Sequence, residues 1–148
     1  YADDITWLLY GLLRAAKLDA TLVLVSTRDN NFFDPKFMNA EQLNTCVVFV
    51  KLDTDAVFLD PGTPYMPFGF LPWSETAVTG LRLGGNEAQW ITTSLPSAAE
   101  SRVERKMTAK LSPAGTREGK VTVTYSGLEA SWRRVYQLKE AIYILPTQ

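Results

Sequence analysis

Histidine is absent from this chain, and cysteine occurs once. Without histidine, Ser-His-Asp and Cys-His nucleophile systems lack their base, and the usual zinc sites lack a principal ligand. A single cysteine forms no intrachain disulfide. Long apolar runs are missing too. The longest, such as residues 46–50, hold a handful of residues, against the roughly 20 that span a bilayer, so no transmembrane segment is expected. Neither sign of charge dominates. Lys and Arg number 15 against 16 Asp and Glu, a net charge of -1, which offers nucleic acid no electrostatic footprint.

What is present is a globular composition, 46% apolar and 21% charged over 148 residues. That suits one compact domain, or one domain and part of another. The chain opens on Tyr1, almost inside its first helical pattern, and is expected to be a piece of a longer protein. Ile5, Leu8, Leu9, Leu12, Leu13 and Ala16 recur at helical spacing and predict an amphipathic helix with that stripe buried. Asp3 and Asp4 suit its positive end, and Arg14 and Lys17 its negative end.

Residues 21–26 are β-branched and apolar and read as a buried strand. Residues 27–41, with Asp29, Asp34, Pro35 and Asn39, read as a long surface loop. Strands are expected over 46–52 and 56–59, with a tight turn at 53–55. The proline-rich segment 60–72 excludes helix and central strand. Its Tyr65, Phe68 and Phe70 are expected to be buried in an ordered aromatic wrap. Short strands near 76–83 and 89–93 complete a first domain over residues 1–95. Residues 96–148 form a second, partial β-rich unit or extension. There Val103, Arg105, Met107, Ala109 and Leu111 share one face of a strand. A turn over 112–119 leads to Val121, Val123 and Tyr125, making a β-hairpin. Leu128, Trp132, Val135, Leu138 and Ile142 predict a closing helix. The expected fold class is α+β, a helix packed on an antiparallel sheet.

Three pieces stand in a telling order. The helix beginning Tyr1-Ala-Asp-Asp-Ile-Thr-Trp runs at once into a strand. A second strand is entered as Leu43-Asn-Thr-Cys-Val-Val-Phe-Val. A third ends in Phe58-Leu-Asp-Pro and continues as Thr63-Pro-Tyr-Met-Pro-Phe-Gly-Phe-Leu-Pro. This order resembles the transglutaminase-like branch of the papain-type cysteine peptidase and transferase superfamily, in bacterial multidomain proteins, over about the first 95 residues. The resemblance implies a nucleophilic Cys at the helix N-terminus, where dipole and free amides favour a thiolate. It also implies a His at a strand start and an Asp at the next strand's end. Those positions fall on Ala2, Thr45 and Asp60. Only Asp60 keeps the expected residue type, so the resemblance implies a degenerate triad and no thiol catalysis. It further implies a place in the bacterial cell envelope or periplasm.

Other candidates carry two readings each. Cys46 follows Thr45, but alternation turns it to the opposite face, and a buried structural thiol is the simpler reading. Asp3, Asp4 and Asp60 would make an acid/base or hard-cation site if they converge; helix-end charge and a strand-end turn are the bland alternative. Asp29 and Asp34 lack calcium-loop spacing, and neither metal nor cofactor is expected. Arg102, Arg105, Lys106 and Lys110 read as the solvent side of a strand. Trp132, with Arg133 and Arg134, suggests a contact surface, but a lone Trp on a helical stripe reads more simply as core. Tyr65, Phe68, Phe70 and Trp73 either cover the sheet or line a substrate groove for an extended peptide.

The expected function is a catalytically inactive module that scaffolds a larger protein or binds a peptide or neighbouring domain. Two alternatives stay open. One is an active peptidase, acyltransferase or carboxylate-based hydrolase using Asp60, with other residues supplied from elsewhere. The other is a structural connector between β-domains. A homodimer through exposed edge strands is a further expectation.

Overall fold

The computed structural model describes residues 2–30, 32–84 and 87–144. The fold is α+β and divides into two units, Tyr1–Pro96 and Ser97–Gln148. In the first, helix α1 (Ala2–Ala15) precedes a five-stranded antiparallel sheet. Its strands are β1 (Asp19–Val25), β2 (Thr45–Lys51), β3 (Ala56–Leu59), β4 (Thr79–Gly84) and β5 (Glu87–Thr92). Their spatial order is β3-β2-β1-β4-β5.

The helix-to-strand reversal takes three residues. Lys17 adopts a left-handed φ of 64°. Its N–H donates to the Arg14 carbonyl at 3.0 Å, and the Leu18 N–H donates to the Leu13 carbonyl at 3.0 Å. These bonds satisfy carbonyls that the helix end would otherwise leave orphaned. Strand β1 then starts at Asp19 and pairs along its length with β2, Thr21 opposite Phe49 and Val25 opposite Thr45.

Alternation along β1 and β2 sorts the core into two layers. Ala20, Leu22, Cys46, Val48 and Val50 face α1, which lays Leu9, Tyr10 and Leu13 on them. Val23, Val25, Val47 and Phe58 face the other way, where Leu71 and Val78 cover them. The burial of α1 departs from the expected stripe. Thr6 is its buried residue, while Ile5, Leu8 and Leu12 are exposed. The helix is seated on β1 and β2. Its apolar arc is wider than that seat, so the outer edge overhangs. Thr6 tolerates burial because its hydroxyl donates to the Ala2 carbonyl at 3.3 Å.

The proline-rich wrap corrects a second expectation. Its buried anchor is Leu71, at 0% exposure, while Tyr65 and Phe68 stay exposed, Phe68 at 77%. Leu71 reaches the layer of Val23, Val25 and Val47; Pro72 holds the backbone extended after it, and a turn from Pro67 to Phe70, with Gly69 at φ +78°, leads into it. One inward leucine suffices to fasten the segment.

The second unit pairs β6 (Val103–Leu111) with β7 (Arg117–Tyr125), Met107 opposite Val121 and Val103 opposite Tyr125. The turn is tighter than expected, because β7 begins at Arg117. The Ser112 N–H bonds the Thr116 carbonyl at 2.9 Å, and Gly115 takes φ +82°. Met107, Leu111, Val121 and Val123 form an exposed apolar side of this two-stranded sheet. Helix α2 (Gly127–Ile144) follows. Gly127 has φ +58°, and a β-carbon there would collide with the Glu100 carbonyl. Trp132 is exposed, not core: the helix buries Ala130 and Ser131 instead. The side chains of Leu138 and Ile142 lie outside the described residues. Among the described residues, no helix is long and apolar enough to cross a membrane.

Candidate functional site

The first turn of α1 supplies three side chains, Ala2, Asp3 and Asp4, at the positive end of a helix dipole. The segment leaving β3 comes up against it. A β-carbon built on Gly62 would lie 2.9 Å from the Ala2 Cβ. The Gly62 N–H donates at 2.9 Å to Oδ1 of Asp60, which closes the turn. Two of the three positions singled out by the resemblance, Ala2 and Asp60, are therefore brought to the same place. Thr45 opens β2 on the sheet side of Val47, the side opposite the one that α1 covers.

Cys46 is buried and its thiol is pushed up to about 11, first by burial and then by the charges of Asp3 and Glu75. It has the surroundings of a structural thiol, since a reactive one needs a cationic neighbour.

Glu75 is the site residue that sequence reasoning missed. It closes a single helical turn, Trp73–Glu75, directly after the wrap. Thr93 fixes this turn by donating its hydroxyl to the Glu75 carbonyl at 2.6 Å, and the Arg28 N–H donates to the Ser74 carbonyl at 2.9 Å. The Glu75 side chain is 6% exposed, and its Oε2 is buried without a hydrogen bond. Burial pushes its carboxyl up to about 8, and the charges of Asp60, Asp29 and Asp3 add to the effect. Asp3 and Asp60 thus converge electrostatically, with Glu75 between neutral acid and carboxylate near physiological pH. No periodicity marks Glu75, because it lies in irregular chain and its neighbours come from distant segments.

The groove candidates divide. Trp73 is exposed, as are Tyr65 and Phe68, while Phe70 is half-buried. Tyr65 holds φ at 59°, a left-handed conformation that tyrosine rarely adopts. The Arg28 guanidinium lies over the Trp73 ring, 5.3 Å from its centroid. Arg28, also missed by sequence reasoning, keeps its Nε buried and without a hydrogen bond.

The place thus combines a helix N-terminus without a nucleophile, a buried acid among other acids, and a row of outward aromatics. Among the described residues, no group of three or more His, Cys, Asp or Glu is placed to hold a metal ion. Comparison of the chain with family models, curated proteins and solved structures returns no match.

Proposed function

We propose that the chain is a non-catalytic, transglutaminase-like module that binds an extended peptide or a segment of a neighbouring protein along the 65–73 wrap. The observation that carries this reading is the outward display of Tyr65, Phe68 and Trp73 on a segment fastened from within by Leu71. Displayed aromatics on a pre-ordered backbone bind at low entropic cost. The non-catalytic part rests on Ala2 and Thr45, neither of which can serve as thiolate or base. The resemblance adds the setting, a larger protein of the bacterial envelope.

An amide-shift NMR titration with a pool of short peptides, glutamine-containing ones included, tests the reading. Shifts clustered at Ala2, Asp60 and residues 65–73 are expected. Absence of shifts at millimolar peptide would overturn it and favour a purely structural connector.

A second reading has one observation in its favour. Glu75, its Oε2 buried without a hydrogen bond and its carboxyl pushed up to about 8, is suited to general-acid work near the charge of Asp60. It predicts hydrolysis of a peptide or ester substrate that Glu75→Gln abolishes. No turnover above buffer by the unaltered chain sets it aside.

A further inference from the structure

A cavity of 480 Å³ opens where β1 ends and β4 begins, between those strand ends and the loop that follows β1. Its size falls in the range of small-molecule sites. Phe32, Phe33 and Val78 give it apolar walls, and Arg28 lines it together with Ser26 and Thr79. Two features set it apart from an ordinary surface dent. The first is Arg28, which brings a permanent positive charge to a cavity with aromatic walls, its guanidinium packed over the Trp73 ring 5.3 Å from the centroid. The second is Ala77, a wall residue with φ +50°, strain of a sort that gathers at binding sites. The aromatic wall is also braced: Phe33 packs on Trp90 with ring centroids 5.0 Å apart. Phe32, by contrast, is 89% exposed at the rim, an apolar side chain with nothing over it.

We propose that this cavity binds an apolar carboxylate, its hydrocarbon body between Phe32, Phe33 and Val78 and its carboxylate on the Arg28 guanidinium. Guanidinium is weakly hydrated, always charged, and presents paired N–H groups that fit a carboxylate. The ligand's hydrocarbon body covers the open aromatic rim at Phe32. The Trp73 ring packs against the guanidinium and holds the side chain in place. Burial pushes the Glu75 carboxyl up to about 8, so near neutral pH it repels an anion less than an ordinary glutamate does. Asp29 is exposed, so solvent and salt screen its charge. The carboxylate belongs either to a free organic acid or to the last residue of a peptide chain. The site meets the 65–73 wrap at Trp73, and shifts at Ser26, Phe33 and Thr79 distinguish binding in the cavity from binding along the wrap.

Calorimetry and amide-shift NMR on the whole chain test the proposal with four probes. These are phenylacetate, its neutral counterpart phenylacetamide, and acetyl-Gly-Gly-Phe with a free or an amidated C-terminus. The carboxylate member of at least one pair is expected to bind about tenfold or more tightly than its amide. Its shifts should centre on Ser26, Arg28, Phe33 and Thr79. Arg28→Met should remove that preference, and Arg28→Lys should weaken it. Tighter binding of the peptide acid than of phenylacetate identifies a chain terminus as the source; the reverse order identifies a free acid. Equal binding of acid and amide overturns the proposal. So do shifts placed elsewhere, or no shifts at millimolar probe. The comparison of acid with amide needs only the unaltered chain, so a folding defect in an Arg28 variant leaves the test intact.

Discussion

Ala2 and Gly62 are in direct contact: a β-carbon on Gly62 would come within 2.9 Å of the Ala2 Cβ. This contact joins the N-terminus of α1 to the exit of β3 and sets Asp60 one turn away. Thr45 lies on the side of Val47, the sheet face turned away from α1, because the pleat of β2 alternates its side chains. Restoring the two residue types that the resemblance implies therefore does not rebuild a dyad. The double variant Ala2→Cys with Thr45→His is expected to show no acyl-enzyme burst with an activated ester. A stoichiometric burst would show that Thr45 reaches the helix end after all.

Glu75 makes stability depend on pH in a direction opposite to that of a paired carboxylate. Its folded pKa of about 8 lies above the ordinary 4.5. The folded chain keeps a proton that the unfolded chain releases, so stability falls as pH rises between those two values and levels off above them. The steepest slope is about 1.4 kcal/mol per pH unit. Urea midpoints measured on either side of the window should show the decline, and Glu75→Gln should flatten it. Equal slopes in the two proteins would mean that Glu75 is ionised in the fold at neutral pH.

Much of the architecture is legible in the residue pattern, and the limits have physical causes. The two-residue period of 103–111 marks β6, and the prolines of 60–72 exclude helix and strand alike, as observed. Helical periodicity in α1 identifies an apolar arc but not which flank of it is seated. The seat is set by the width of β1 and β2, and the helix rolls so that Thr6 and Tyr10 go under while Leu8 and Leu12 come out. In the wrap, Phe68 and Leu71 are equally apolar and no period orders them, so their opposite fates are decided by the backbone path. Glu75 and Arg28 are neighbours only because the Arg28 N–H finds the Ser74 carbonyl across 46 positions of chain. That kind of contact leaves no local trace.

Cys46 is expected to be chemically silent in the folded chain. With its thiol pushed up to about 11, roughly one molecule in a thousand carries a thiolate at pH 8, and burial shields even that fraction. An aromatic disulfide reagent should label the protein stoichiometrically in denaturant and hardly at all in its absence. Prompt labelling under native conditions would show that the layer between α1 and β2 opens readily.

Lys17 offers a stabilising change. It occupies the left-handed position that ends α1, with φ 64°, where glycine avoids the clash of a β-carbon. It is exposed, so the substitution removes no buried side chain. Lys17→Gly should therefore raise stability, by about 0.5–1 kcal/mol after the added entropy of the unfolded glycine is subtracted. Lys17→Val, branched at the β-carbon, should lower it. Thermal midpoints of the three proteins give the order, and a loss in the glycine variant would mean that the lysine side chain makes a contact worth more than the strain.

Leu71 and Phe68 sit three positions apart in the same wrap and should separate stability from binding. Leu71 is wholly enclosed by Val23, Val25, Val47 and Val78, so Leu71→Ala leaves a cavity and is expected to cost about 2–5 kcal/mol. Phe68 projects into solvent, and Phe68→Ala should change stability by no more than about 0.5 kcal/mol. If the wrap is the docking surface, the ranking reverses for peptide affinity. Phe68→Ala then weakens binding in a protein that unfolds at the original urea concentration, because an exposed aromatic that contributes nothing to the fold is free to serve a partner. A Phe68→Ala protein that is strongly destabilised would instead place the ring in the core. One that keeps full affinity for a peptide bound by the unaltered chain would move the contact to Tyr65 or Trp73.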